Sequence, residues 1–202
     1  LHGAKITTTG SGGTDININH DTVTIDGFDI SNNSSATADV IGIYSQDHNN
    51  LTIKNNSLHD IGVGGANSKA LGIVIVSNSN TVNFITIKNN TIDTVVSGTN
   101  KSASGISIGW SSGTNPIENL IIDSNDIKNI KSNTNAYPVG HGAYGILINH
   151  NTPSPLIINN TISNLDGLWA HAIGLEGSTP GAYVYNNTIS NLTDYKNPSD
   201  AV

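Results

Sequence analysis

The sequence predicts an all-β solenoid, in which short strands wind into a coil and pair with their equivalents one turn away. The first observation is a repeat: the segment LTIKNNSL at 51–58 returns as ITIKNNTI at 85–92 and as LIIDSNDI at 120–127. The second is a period-two alternation of apolar and polar residues, typical of strands. The third is an asparagine at one position of most copies. Such repeats indicate stacking, because one unit is too small to bury its own apolar face.

The repeat divides the chain into about six coils. Copies start at residues 23, 51, 85, 120, 155 and 182, so the intervals are 28, 34, 35, 35 and 27 residues. Each coil is predicted to contain a Gly-Ile strand, a loop, a Thr-Ile strand, an asparagine turn and a short third strand. The marker glycines are Gly42, Gly72, Gly105, Gly145 and Gly174. Loops are expected near 31–39, 61–69, 96–103 and 131–143, and residues 15–18 are predicted to add one more Gly-Ile strand.

Equivalent apolar residues are expected to stack inside the coil, about 4.8 Å apart along its axis. The Thr-Ile strand supplies two ladders, Val23, Leu51, Ile85, Leu120, Pro155, Ala182 and Ile25, Ile53, Ile87, Ile122, Ile157, Val184. The third strand supplies Ile30, Leu58, Ile92, Ile127, Ile162 and Ile189. The Gly-Ile strand supplies Ile43, Ile73, Ile106, Ile146 and Leu175.

The most specific pattern is a polar ladder. Asparagine occupies the same turn position in five copies, and Phe28 replaces it in the first: Asn56, Asn90, Asn125, Asn160 and Asn187. A stacked asparagine can donate its amide to the next side-chain carbonyl and also satisfy the turn backbone. We therefore predict that these five residues form a buried structural ladder.

The order Gly-Ile, loop, LTIKNNSL resembles the right-handed parallel β-helix of the pectin-lyase-like superfamily, over about residues 14–193. The resemblance implies that the fold is a single-stranded right-handed parallel β-helix. It also implies that the asparagines lie in the tight turn between the second and third strands. It places active sites on the outer face of the Gly-Ile sheet, beside the longer loops. This fold carries many functions, so the resemblance is weak for activity.

Catalytic residues of that superfamily do not transfer to this chain. Its lyases commonly use an arginine or lysine base with calcium bound by carboxylates, and its hydrolases use clustered aspartates. This chain has no arginine. We place two small-residue rows on the outer face of the Gly-Ile sheet: the marker glycines, and Val40, Ala70, Ala103, Ala143, Ala172. The next outward row, Tyr44, Val74, Ser107, Leu147 and Glu176, contains one carboxylate. We expect no cofactor, and the sequence does not indicate calcium.

Composition limits the possible partners. The 202 residues carry a net charge of −7, and all eight basic residues are lysine, which argues against nucleic acid. No apolar run approaches 18 residues, so we expect no membrane insertion. We expect an extracellular or cell-surface location, with which the absence of cysteine agrees. We predict one β-helix domain over 1–202, which is part of a longer solenoid or is assembled end to end.

The best local constellation for chemistry lies towards the C-terminal end. His141, His171 and Glu176 are the candidate catalytic residues, because imidazoles and a carboxylate can move protons. His150 is close by register. The competing interpretation is that these histidines lie on loop surfaces. No metal-ligand spacing is met, so no metal site is predicted.

Two further surfaces are candidates for binding. Trp110, Tyr144 and Trp169 can stack on sugar rings, or can simply anchor loops on the coil. An apolar stripe is expected on the outer face of the Thr-Ile sheet, where a polar coil should present threonines: Ile121, Leu156, Ile158, Tyr183 and Tyr185. Such a stripe is either a contact surface or is covered by the tail 190–202.

The sequence therefore favours an extracellular or cell-surface module with a structural, adhesive or assembly role. Its expected partner is a polysaccharide or another copy of the same chain. The alternative is a carbohydrate-active enzyme, a lyase, epimerase or hydrolase, with its site on the outer face of the Gly-Ile sheet.

Overall fold

A computed structural model describes residues 4–9, 13–34, 38–62, 68–109, 115–133 and 141–195. Within these ranges the chain forms nineteen β-strands and no helix. The strands form three sheets. The Gly-Ile sheet contains β2 (Gly13–Ile18), β5 (Val40–Gln46), β8 (Ala70–Val76), β11 (Ala103–Ile108), β14 (Ala143–Ile148) and β17 (Ala170–Leu175). The Thr-Ile sheet contains β3 (Thr24–Asp26), β6 (Leu51–Lys54), β9 (Val82–Lys88), β12 (Ile117–Asp123), β15 (Leu156–Ile158) and β18 (Tyr183–Tyr185). The third sheet contains β1 (Ala4–Thr8), β4 (Phe28–Asn32), β7 (Ser57–Ile61), β10 (Thr91–Thr99), β13 (Asp126–Asn133), β16 (Thr161–Gly167) and β19 (Thr188–Asp194).

Every strand pairs in parallel with the strand three positions away along the chain. Each coil passes through the Gly-Ile sheet, then the Thr-Ile sheet, then the third sheet. The fold is a right-handed parallel β-helix, as predicted. Strand β2 is the expected extra Gly-Ile strand, since it pairs with β5. Strand β1 was not predicted; it extends the third sheet by pairing with β4.

The predicted ladders of the Thr-Ile and third strands are confirmed in register, although Val184 and Ile189 of the last described coil are 44% exposed. Leu51 pairs with Ile85 and Ile85 with Leu120, while Leu58 pairs with Ile92 and Ile92 with Ile127. These side chains are at most 1% exposed and belong to one continuous core. The register along the axis therefore brings each apolar side chain against its own kind.

The asparagine ladder is also confirmed. Asn56, Asn90, Asn125 and Asn160 are 1–2% exposed, and each donates its side-chain amide to the side-chain oxygen one coil further on. The residue before each ladder asparagine, such as Asn55 and Asn89, has a left-handed backbone, with φ of 56° and 55°. In the first coil Gly27 takes that conformation and Phe28 donates its backbone N–H to Asn56 Oδ1.

The prediction for the fifth Gly-Ile strand was wrong by two residues. Ile146 pairs with Ile173, so Leu175 instead faces Ile148. Gly174 stands beside Leu147, and the register places Ala172 opposite Gly145. Glycine is needed at position 145, because a Cβ there would lie 2.6 Å from the Ala172 carbonyl oxygen and 2.6 Å from Ile162 Cγ2.

The small-residue rows of the Gly-Ile sheet face inward except at Gly174, which corrects the predicted outward placement of the other residues. Val40, Ala70, Ala103 and Ala143 are fully buried core residues. A Cβ added to Gly105 would lie 2.6 Å from Ile127 Cγ2 of the third sheet. The glycine and the isoleucine after it both point inward, so the strand bends there and the period of two is broken. In β5, β8, β11 and β14 the predicted outer rows of small residues are therefore part of the core.

The third strands are longer than predicted, because each one bends and continues. Residues Asp60, Thr94, Asn129, Asn164 and Asn191 have φ between 53° and 59°. This left-handed residue lets the side chain three positions after the first inward one also point inward. An unpredicted core ladder results: Ile61, Val95, Ile130, Leu165 and Leu192. Parts of the loops predicted at 96–103 and 131–143 are therefore strand, since β10 ends at Thr99 and β13 at Asn133.

Candidate functional site

A polar cleft of about 270 Å³ lies at the outer face of the Gly-Ile sheet. Four neighbouring coils, those of β8, β11, β14 and β17, contribute to it. It is lined by Lys69, Ser102, His141, Tyr144, Leu147, Asn149 and Glu176. We call it the Gly-Ile cleft.

The register of the buried alanines positions one wall of the cleft. Ala70, Ala103 and Ala143 stack in adjacent strands. The residues directly before these alanines are therefore brought to the same edge of the sheet, which places Lys69 and Ser102 in neighbouring coils. The Ser102 hydroxyl lies 3.4 Å from His141 Nδ1.

The electrostatics of this wall favour a neutral imidazole. Burial lowers the pKa of His141, and the positive charges of Lys101 and Lys69 lower it further. Burial also lowers the pKa of Lys69; Asp39 opposes this shift and Lys101 adds to it. At pH 7 His141 is thus predominantly neutral and can accept a proton or a hydrogen bond.

A tyrosine and a carboxylate form the opposite wall. Burial is the main cause that raises the pKa of Tyr144, and the charge and hydrogen bond of Glu176 raise it further. Tyr144 therefore keeps its proton at neutral pH. The ring of His171 packs edge-on against Tyr144, with centroids 5.5 Å apart and planes at 86°.

The structure brings some of the predicted site residues together and separates others. His141, Tyr144 and Glu176 line the cleft, whereas His171 supports Tyr144 from the next strand. Buried His150 lies outside the cleft, with Nε2 at the Asn115 carbonyl oxygen.

Trp169 is not among the described residues that line the cleft. Trp169 is half-buried, and its carbonyl accepts a hydrogen bond from the Ala143 N–H at 2.7 Å. Trp110 lies outside the described residues.

Sequence reasoning missed Lys69 and Ser102. Both directly precede an alanine that begins a Gly-Ile strand, and that recurring position was the available signal.

Much of the remaining outer face of the Gly-Ile sheet is apolar and shielded from solvent. Leu71, Val74 and Val76 are 1–2% exposed and form a separate apolar cluster that Tyr44 packs against.

The described part of the cleft contains a single carboxylate, that of Glu176. Across the described ranges, no group of three or more His, Asp or Glu residues is arranged to hold a metal ion. The cleft can therefore offer hydrogen bonds, an ammonium group and a proton acceptor to a polar ligand.

The apolar stripe on the Thr-Ile sheet is present. Ile121, Leu156 and Tyr183 are in register across three strands, and Ile158 pairs with Tyr185. Ile121, Tyr183 and Tyr185 are 36%, 59% and 55% exposed. Of the tail predicted as a possible cover, residues 190–194 instead belong to β19, which pairs with β16 in the third sheet.

In comparisons with known proteins, no family model, curated protein or solved structure matches this chain. Nor is there, among the residues described, any helix of the length and hydrophobicity that a membrane crossing requires. The arguments for function therefore depend on the fold and on its surfaces.

Proposed function

We propose that the chain is an extracellular or cell-surface β-helix module that binds polysaccharide through the Gly-Ile cleft, in a structural or adhesive role. The observation that carries the proposal is the cleft itself. Across four consecutive coils it combines Lys69, Ser102, neutral His141 and the Tyr144–Glu176 pair. Sugars expose alternating hydroxyl donors and acceptors, and this lining offers both.

The charges of the cleft support an acidic sugar as the preferred ligand. Lys69 and Lys101 both lie close enough to His141 to lower its pKa, so one wall is locally positive although the chain is acidic overall. The carboxylate of a uronate would lie against this wall, and the hydroxyls of the uronate ring would reach Glu176 and Asn149. The resemblance to the pectin-lyase-like superfamily agrees with this choice.

The proposal is tested by calorimetric titration with hexagalacturonate. Lys69→Met should weaken binding about tenfold, because it removes a charge-assisted hydrogen bond. Lys88→Met is the matched control, since Lys88 is an outward lysine on the Thr-Ile sheet. The absence of binding, or equal weakening by both variants, would contradict the proposal.

A catalytic role is the second candidate, and the lowered pKa of His141 favours it. In a polysaccharide lyase a base removes the C5 proton of a uronate. The C5–H electrons then form the C4=C5 double bond, and the C4–O bond breaks as the leaving oxygen takes up a proton. His141 is the candidate base. Hydrolysis is less well supported, because it uses a pair of carboxylates. Release of unsaturated oligosaccharides, lost in His141→Ala, would establish the lyase over the binding module.

An assembly role is supported by the apolar stripe. Adjacent Tyr183 and Tyr185 rings lie 5.8 Å apart and are more than half exposed, which is the kind of surface that self-associates. Sedimentation should show association that rises with concentration and is lost in Tyr183→Lys. Asn186→Lys, at an exposed turn outside the stripe, should not change it. A monomer at all concentrations would rule this role out.

A further inference from the structure

A second cleft, larger than the Gly-Ile cleft, lies on a different face, along the outside of the third sheet. It has a volume of about 410 Å³ and runs across four coils. It is lined by Thr94, Val96, Asn129, Lys131, Asn164, Leu165, Asp166, Asn191, Thr193 and Tyr195. We call it the axial groove. Its volume lies within the range of about 300–1,000 Å³ that is usual for ligand sites.

The bends of the third strands create the groove. At Thr94, Asn129, Asn164 and Asn191 the backbone is left-handed, with φ of 56–59°. Each coil then contributes this residue and the one two positions later to the groove. Because the bends are in register, the depressions of successive coils join into one channel parallel to the coil axis.

The wall of the groove is a second, exposed amide ladder. Asn164 Nδ2 donates to Asn129 Oδ1 at 3.1 Å, and Asn191 Nδ2 donates to Asn164 Oδ1 at 3.1 Å. An amide nitrogen carries two hydrogens and the ladder uses one of them. Each asparagine therefore retains a donor, and these donors repeat every 4.8 Å or so, the spacing of neighbouring strands.

The charges in the groove are balanced. Lys131 Nζ lies 3.1 Å from Asp166 Oδ2, and these are the one basic and the one acidic side chain of the described lining. The groove therefore lacks the excess positive charge that a polyanion needs. Tyr195 ends it with an aromatic ring that is 63% exposed, and its backbone N–H is anchored at the Gly167 carbonyl.

We propose that the axial groove binds a linear, neutral, β-linked polysaccharide segment. The rise of one coil is close to the repeat of an extended β-linked hexose chain, so successive sugars can meet equivalent amides of successive coils. Val96, which is partly exposed, supplies apolar contact for a sugar face, and Tyr195 can stack on a terminal ring. The site lies on another sheet from the Gly-Ile cleft and does not depend on it.

The test is calorimetric titration of the full chain with three neutral probes: cellohexaose, xylohexaose and mannohexaose. At least one should bind. Asn164→Gly removes an amide and keeps the left-handed backbone that glycine tolerates. It should weaken binding at least about threefold, and Tyr195→Ala about three- to tenfold.

Asn159→Gly is the matched control. Asn159 lies in the same coil, has φ of 58°, and is likewise linked by amide hydrogen bonds to the coils on both sides, through Asp123 and Asn186. Asn159 is exposed in the turn between β15 and β16, outside the axial groove. Thermal unfolding of each variant verifies that the coil is intact. Failure of all three probes to bind, or equal weakening by Asn159→Gly and Asn164→Gly, would overturn the proposal. The cleft is tested separately with an acidic probe, so the two results remain distinguishable.

Discussion

Asn125 makes two hydrogen bonds to one oxygen of Asn160. Its side-chain amide lies 2.9 Å from Asn160 Oδ1, and its backbone N–H lies 3.0 Å from the same atom. Asn125 Oδ1 in turn accepts both the side-chain and backbone N–H groups of Asn90 at 3.0 Å. One buried side chain thus satisfies the turn backbone of its neighbour and passes the same geometry along the axis.

Replacing Asn125 by leucine should destabilise the fold by about 2–5 kcal/mol, because the backbone N–H and one side-chain N–H of Asn90 lose their acceptor. Urea unfolding followed by circular dichroism measures the change. Asn187→Leu is the control, since Asn187 is only half-buried in the last described coil, and it should cost less. A neutral Asn125→Leu would show that the ladder contributes little to stability.

Gly105 and Gly174 should differ in how much stability is lost when each is replaced by alanine. A Cβ on Gly105 would lie 2.6 Å from Ile127 Cγ2 and 2.8 Å from the Gly145 carbonyl oxygen, so Gly105→Ala should cost about 1–3 kcal/mol by overpacking. A Cβ on Gly174 would have Leu147 Cδ1 as its nearest neighbour, at 3.2 Å. Gly174→Ala should therefore change the unfolding midpoint little. Equal losses would argue against the observed register of the fifth Gly-Ile strand.

His59 should make stability depend on pH on the alkaline side. Its pKa is raised, chiefly by the hydrogen bond to Asp60 and, against the effect of burial, by Asp29; the two contacts are 2.8 and 2.7 Å long. The raised pKa means that the folded state favours the imidazolium. This stabilisation is complete below the unfolded value of about 6.5 and is lost as pH rises through the folded value.

The measurement for His59 is the midpoint of urea unfolding, determined at a series of pH values from mildly acidic to mildly alkaline. Wild type should lose stability over the upper part of this range, and His59→Gln should lose less. His141 acts in the opposite window, because its pKa is lowered and its contribution disappears as pH falls. The same alkaline slope in wild type and His59→Gln would exclude the His59 contribution.

Periodicity was sufficient to predict the coil, its three strands per turn and the polar ladder, because repeated residues report on positions that touch their own kind. It was insufficient where the backbone leaves the period of two. The left-handed residues at Asn129 and Asn164 move the next inward side chain by one position, and the Gly-Ile bend turns the glycine inward. The recurring pattern Ile-x-Asn-Ile/Leu at 127–130, 162–165 and 189–192 was the signal for the first of these.

The candidate site was only partly predictable for a related reason. His141, Tyr144 and Glu176 were found because their residue types carry chemistry. Lys69 and Ser102 were missed, since they lie at loop–strand junctions whose proximity depends on pairing between distant coils. The axial groove was missed because it is formed by the bends.

The register of successive coils is tested most directly by disulfide cross-linking. Because the chain has no cysteine, only the introduced pair can form an intramolecular disulfide. Thr86 and Ile121 are paired partners on adjacent coils, whereas Leu156 is one coil further. Strands are about 4.8 Å apart, and a disulfide spans Cα atoms up to about 6.8 Å apart. On oxidation, Thr86→Cys/Ile121→Cys should form an intramolecular disulfide, detected by mass spectrometry, and Thr86→Cys/Leu156→Cys should not. A disulfide in the second pair but not in the first would contradict the parallel β-helix.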